Sequence, residues 1–123
     1  MSADNNAYTD RLRTDLASLQ KTISTAMESV QVEQAAVDRI YALLHNTRAQ
    51  GENASSSLVS NICALACGIL RRNKVPDSGT LRVVKAHIDA LAIVVEHDVS
   101  GDGGPLGQRM VEQLRGLAQA VGA

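Results

Sequence analysis

Residues 80–95, TLRVVKAHIDALAIVV, decide the fold class of this chain. Large aliphatic side chains recur there at intervals of three or four positions, which places them on one side of an α-helix. A half-buried strand would instead alternate apolar and polar residues. The stretch therefore predicts an amphipathic helix from about Thr80 to Val99, and its apolar stripe consists of Leu81, Val84, Ile88, Leu91 and Val95.

The same periodicity predicts four further helices. Thr25–Glu28 has the form of a capping box, so the second helix begins there or a few residues later. Small polar side chains at 51–57 predict a connection that supplies the next N-cap, and Pro105 is well placed to open the last helix. These helices are expected at about residues 7–23, 25–52, 57–73 and 105–121.

Connections this short favour antiparallel neighbours. We expect one all-α domain over residues 1–123, an antiparallel up-and-down four-helix bundle with an additional N-terminal helix, and disorder in residues 1–6. Composition agrees with this, since the chain has no Phe, no Trp and only 2 Tyr. The core must then be aliphatic, which disfavours a β-sandwich or a small barrel.

Charge and composition also exclude several function classes. The formal net charge is −1, from 12 basic and 13 acidic residues, so the chain has no overall attraction for nucleic-acid phosphates. Too few aromatic side chains are present for binding by base stacking. The polar N-terminus does not resemble a signal peptide, and the apolar run from Ile88 to Val95 is too short to span a bilayer. We predict a cytoplasmic protein with no nucleic-acid or membrane partner.

Two cysteines, Cys63 and Cys67, lie four residues apart on the third predicted helix. A disulfide within one regular helix is geometrically awkward, so both are expected to be reduced and to pack in the core. They could recruit His87 or His97 as zinc ligands, but four ligands at finger-like spacing are missing. No metal site is predicted, and a metal-binding bundle is the third-ranked interpretation.

His45 occupies a distinctive position on the second helix. At about 100° per residue, the apolar side chains centre opposite the imidazole. A mid-helix imidazole that faces solvent between two alanines is open to a docking partner, and a neutral ring nitrogen is nucleophilic near pH 7. Geometry alone favours an ordinary solvated histidine, because exposed polar faces are common. The same side of the helix carries Asp38, Tyr41, Ala42, Arg48, Ala49 and Glu52.

Residues 40–51, IYALLHNTRAQG, resemble the active helix of bacterial histidine-containing phosphotransfer (HPt) domains, in which His is followed by two residues, Lys and then Gly. Residues 58–67 are similar to the family's next helix, where a Leu-rich stretch leads to a small residue or Cys. Residues 84–91 and the glycine-rich turn at 101–104 resemble the last helical pair in a bacterial branch of the family. The resemblance extends over about residues 30–120 and preserves helix order and spacing.

Two positions depart from the family's pattern. Arg48 stands where the family usually has Lys; it keeps the positive charge and can bind phosphate through two N–H groups. Ala49 stands where the family usually has Gly and adds one methyl beside the imidazole. Gly51 would give room where a partner approaches. These departures leave open a descendant that docks without being phosphorylated.

The resemblance implies a phosphorelay protein of two-component signalling, a phosphohistidine carrier rather than a stand-alone turnover enzyme. His45 would accept a phosphoryl group from a response-regulator receiver domain or from a sensor histidine kinase, which could be of the hybrid type. It would pass the group to an aspartate of another receiver. Arg48 would stabilise the phosphate, and the docking rim would consist of Asp38, Tyr41, Ala42, Ala49 and Glu52.

No cofactor is implied for this chain, because the receiver would hold the divalent metal that transfer needs. The protein is expected to be a monomer. The alternative is a non-catalytic helical adaptor that docks a kinase or receiver without being phosphorylated.

Overall fold

The structure is a computed structural model and describes residues 3–73 and 76–121. These residues form five α-helices and no strand, so the prediction of an all-α chain is confirmed. The first helix begins at Ala3, within the segment expected to be disordered, and Met1 and Ser2 lie outside the described residues. The helices are α1 (Ala3–Glu28), α2 (Gln34–Asn53), α3 (Ser57–Arg72), α4 (Ser78–Glu96) and α5 (Gly104–Ala120).

The boundary between α1 and α2 differs from the prediction. Thr25–Glu28 does not open α2; it forms the last turn of α1, and the Ser29 hydroxyl donates to the Thr25 carbonyl at 3.0 Å. The reason is that Ala26 is buried and continues the apolar stripe of α1 beyond Ile23. The chain then turns, and α2 begins only at Gln34.

Local hydrogen bonds define the ends of the later helices. The N-cap Asp77 accepts from the Thr80 amide at 2.7 Å, and this bond lowers the pKa of the Asp77 carboxyl. Gly103 takes a left-handed conformation, with φ 75°, immediately before α5. The Leu58 amide donates to the Gly101 carbonyl at 3.0 Å, which joins the turn before α5 to the start of α3.

Four helices form a closed ring of contacts in which α1 packs against α2, α2 against α3, α3 against α4, and α4 against α1. The fifth, α5, packs against α3 and α4. The helix added to the ring is therefore α5, not the N-terminal helix that was expected. Burial explains the difference, since Leu12, Leu16, Leu19 and Ile23 of α1 are all buried, whereas Leu106 and Leu117 of α5 are exposed.

The core of the bundle is aliphatic, as the composition predicts. Cys63 and Cys67 are buried and unbridged, in agreement with their prediction as reduced core residues. Within the described residues, no helix is both long enough and apolar enough to cross a membrane. The largest fully buried side chains include Leu19, Ile23, Ile40, Leu44, Leu58, Ile62, Ile69, Leu81, Ile88, Leu91 and His87.

Candidate functional site

The candidate site lies on the exposed side of α2. His45 is exposed, as the helical wheel predicts, while Ile40 and Thr47 on the opposite side are buried. Among the other predicted residues, Tyr41 and Arg48 are half-buried at the border of this face. Four are exposed around the imidazole, namely Asp38, Ala42, Ala49 and Glu52.

Tyr41 holds the His45 ring in a stacked arrangement. The two ring centroids are 6.2 Å apart, and the ring planes differ by 7°. Offset stacking at this distance is a favourable aromatic geometry. Within the part of the chain that the structure describes, neither ring nitrogen of His45 has a hydrogen-bond partner. The stack therefore orients the imidazole of an exposed residue without engaging either ring nitrogen.

Arg48 lies one helical turn after His45 and is paired with Glu52. The Arg48 Nε donates to Glu52 Oε1 at 3.2 Å, and the two side chains are 39% and 57% exposed. An exposed i,i+4 pair of this kind contributes about 0.3–0.5 kcal/mol. The guanidinium can therefore exchange the carboxylate for another anion at small cost.

Gly51 permits a close approach of α2 and α3. The residue is buried, and a Cβ added to it would lie 2.8 Å from Ser60 Oγ and 3.2 Å from the Ser56 carbonyl oxygen. The Ser60 hydroxyl donates to the Arg48 carbonyl at 3.1 Å, which fixes the backbone of α2 beside the site. The prediction that Gly51 makes room for a partner is thus wrong, because the position of its missing side chain is occupied by residues at the start of α3.

The N-terminal end of the site borders α3. Asp38 Oδ1 accepts from the Gln34 side-chain amide at 2.8 Å, and both side chains are exposed. Asp38 and Tyr41 line a shallow cleft together with Leu70 and Arg71 of α3. No pattern within α2 indicates this contribution of α3, because it depends on how the two helices pack.

The remaining candidate residues are dispersed through the bundle. His87 is fully buried; its Nδ1 is 2.8 Å from the Val83 carbonyl oxygen, and its buried Nε2 has no partner among the described residues. Burial lowers the pKa of His87 and raises the pKa of both Cys63 and Cys67. His97 is exposed at the end of α4. The described residues contain no group of three or more His, Cys, Asp or Glu side chains that could hold a metal ion.

Comparisons with protein-family models, with curated proteins and with solved structures find no match to this chain. The resemblance to HPt domains therefore rests on the motif residues in α2, α3 and α4. The site itself is described by its geometry: an oriented, accessible imidazole, a nearby exchangeable guanidinium, and small side chains on either side.

Proposed function

We propose that this protein is a phosphorelay phosphotransfer protein of the HPt type, which carries a phosphoryl group on His45. One observation carries the proposal. An exposed imidazole, whose ring nitrogens have no hydrogen-bond partner among the described residues, lies between Ala42 and Ala49, with Arg48 one helical turn away. The short side chains at positions 42 and 49 leave room beside the imidazole, so the ring can enter the active site of a second protein.

The proposed reaction moves one phosphoryl group between two side chains. The lone pair of an unprotonated His45 ring nitrogen attacks the phosphorus of an aspartyl phosphate on a receiver domain. An N–P bond forms, the P–O bond to the aspartate breaks, and the aspartate leaves as a carboxylate. The reverse reaction delivers the group to the aspartate of another receiver. The stack on Tyr41 supports the positioning that this transfer requires.

Arg48 is proposed to balance charge on the phosphoryl group, because a guanidinium can donate two N–H groups to phosphate oxygens. The exposed residues Asp38, Ala42, Ala49 and Glu52, with the border residue Tyr41, form the proposed docking rim. The receiver would supply the divalent metal. We place the protein in the cytoplasm as a monomer, with a sensor histidine kinase as the other partner.

An up-and-down order of α1–α4 belongs to the same proposal. It is supported by the hydrogen bond from the Leu58 amide to the Gly101 carbonyl, which joins the start of α3 to the turn that follows α4. Short connections between consecutive helices also favour antiparallel neighbours. This order would leave the middle of α2 free of covering loops.

A second candidate function is a non-catalytic adaptor that docks a kinase or receiver through the same face. The pair between Arg48 and Glu52 favours it, since the carboxylate competes with a phosphoryl group for the guanidinium. Glu52 also adds negative charge one turn beyond Arg48, which opposes an incoming phosphate.

Radiolabelled phosphoryl transfer separates these two functions. The wild type, His45→Gln and the matched control His97→Gln are incubated with the phosphorylated receiver domains of the same organism and resolved on an alkaline gel. We expect base-stable, acid-labile label on the wild type and on His97→Gln, and none on His45→Gln at unchanged helicity. Unchanged labelling of His45→Gln would contradict the assignment. Binding of a receiver without any labelling of the wild type would establish the adaptor.

A further inference from the structure

Three arginines line a groove between α3 and α5, whose lining does not include His45. The groove has a volume of about 450 Å³ and is lined by Arg71 and Arg72 from the end of α3 and by Arg115 from α5. Among the residues that the structure describes, no acidic side chain lines it. All three arginines are exposed, and none of them forms an ion pair within residues 3–73 and 76–121.

The apolar lining of the groove includes two small buried residues, Gly68 and Ala118, which we call its floor. It also includes Leu65 and Val111, which are half-buried. A Cβ added to Gly68 would lie 3.1 Å from Nη1 of Arg72. The absence of a side chain at position 68 therefore lets the Arg72 guanidinium lie back along α3, towards the groove.

Stabilisation of helix ends does not account for this arrangement. Arg71 and Arg72 lie in the last turn of α3, where cations interact favourably with the helix dipole. Arg115 belongs to α5 and does not lie in its last turn, so interaction with a helix dipole does not explain its position. Three like charges at one groove repel each other, and an anion is the group that would relieve the repulsion.

We propose that this groove docks an acidic segment of a partner protein. Carboxylates of the segment pair with the three arginines, and its apolar side chains cover the floor at Gly68 and Ala118. A small organic anion is disfavoured because ligand pockets bury most of their ligand, whereas the charged walls of this groove are exposed. A nucleic acid is disfavoured because none of the described residues that line the groove is aromatic and the chain has a net charge of −1.

The groove lies next to the proposed phosphotransfer site without being part of it. Arg71 lines both the groove and the cleft that contains Tyr41 and Asp38. A segment in the groove can thus continue towards the exposed face of α2. Docking in the groove does not require phosphorylation of His45, so the two proposals can fail separately.

Selection from a random peptide display library tests the proposal on the 123-residue chain. We expect the selected peptides to be enriched in Asp and Glu together with apolar residues. Arg72→Glu/Arg115→Glu should weaken their binding about tenfold or more, because each charge reversal replaces attraction by repulsion. The matched control, Arg82→Glu/Arg109→Glu, reverses two exposed arginines outside the groove and should bind as the wild type does.

Two further measurements complete the test. Affinity of the wild type for a selected peptide should fall as salt is raised, and amide NMR shifts on binding should cluster at Asn61, Gly68 and Ala118. His45→Gln should bind the peptide as the wild type does. Peptides without acidic enrichment, equal binding by Arg72→Glu/Arg115→Glu, or NMR shifts elsewhere would overturn the proposal. A competition experiment compares inorganic triphosphate with a second selected peptide. If triphosphate displaces the bound peptide at the lower concentration, the groove binds a small anion and the proposal is overturned.

Discussion

Arg48 donates its Nε–H to Glu52 at 3.2 Å, so the cation nearest in sequence to the exposed His45 already has an anionic partner on the same helix face. The pair has the i,i+4 spacing and the exposure of a weak ion pair. It holds the guanidinium on the His45 side of α2, but it also adds a negative charge where a phosphoryl group would arrive. The balance between these two effects can be measured.

Glu52→Gln should accelerate phosphoryl acceptance by His45. Removing the carboxylate frees Arg48 and removes a repulsive charge, and the lost pair contributes about 0.3–0.5 kcal/mol, equivalent to about a twofold change in rate. The initial rate of labelling from a phosphorylated receiver measures the effect. Arg48→Ala should slow the same step, with labelling still detectable.

The control for this pair is Asp89→Asn on α4. Lys85 and Asp89 form an i,i+4 pair at 2.9 Å with similar exposure, remote from the α2 face. Its removal should leave the labelling rate unchanged. A slower rate in Glu52→Gln than in Asp89→Asn would mean that the carboxylate positions Arg48 productively rather than competing with phosphate.

Tyr41→Ala should slow phosphoryl transfer several-fold, whereas Tyr41→Phe should transfer at nearly the wild-type rate. The ring stacks on His45 and packs partly against the core, so its loss frees the imidazole and should destabilise the protein by about 1 kcal/mol. Labelling rates and urea denaturation of both variants provide the measurement. If Tyr41→Ala leaves the transfer rate and the receiver affinity unchanged, Tyr41 contributes to packing and has no role in transfer or docking.

Gly51→Ala should destabilise the fold by about 1–3 kcal/mol, because the added methyl group overlaps Ser60 and forces α2 and α3 apart. Gly116→Ala is the matched control, since position 116 is also helical and no atom of the described residues lies within 4 Å of a Cβ added there. There the better helix propensity of Ala should stabilise the protein by up to about 1 kcal/mol. Thermal denaturation of the two variants should therefore shift Tm in opposite directions; equal shifts would contradict the close helix approach.

Stability should fall as pH drops from 7 to 5, because burial lowers the pKa of His87 in the folded state. Below the unfolded pKa of about 6.5, the unfolded chain binds a proton that the folded chain does not, so protonation favours unfolding. The free energy of unfolding should decrease by at most about 1.4 kcal/mol per pH unit. Denaturant titrations across this range should show a flatter pH dependence for His87→Leu than for His97→Leu.

Periodicity predicted the helices well where the apolar stripe was long and the ends were marked. α3 begins at Ser57 as expected, and Pro105 lies in the first turn of α5. The predicted start of α2 at Thr25–Glu28 was wrong. This capping pattern lies inside α1, because Ala26 is buried in the core. A local signal cannot reveal a tertiary contact that overrides it.

The candidate site was predictable only in part for the same reason. The exposure of His45 follows from the helical wheel of α2 alone. The roles of Gly51 and Arg71 depend on how closely α3 packs against α2, and no pattern within either helix encodes that distance. Likewise, the burial of His87 depends on the helices that surround α4.

The position of α5 outside the ring of four helices has a consequence for dynamics. A helix whose buried residues are Gly107, Leu114 and Ala118, and whose Leu106 and Leu117 are exposed, can detach at lower free energy than the more deeply buried helices of the ring. Detachment of α5 would remove the side of the groove that carries Arg115, and α2 would stay folded. Amide hydrogens of α5 should therefore exchange faster than those of α2 and α3, and a docked segment that bridges α3 and α5 should slow their exchange.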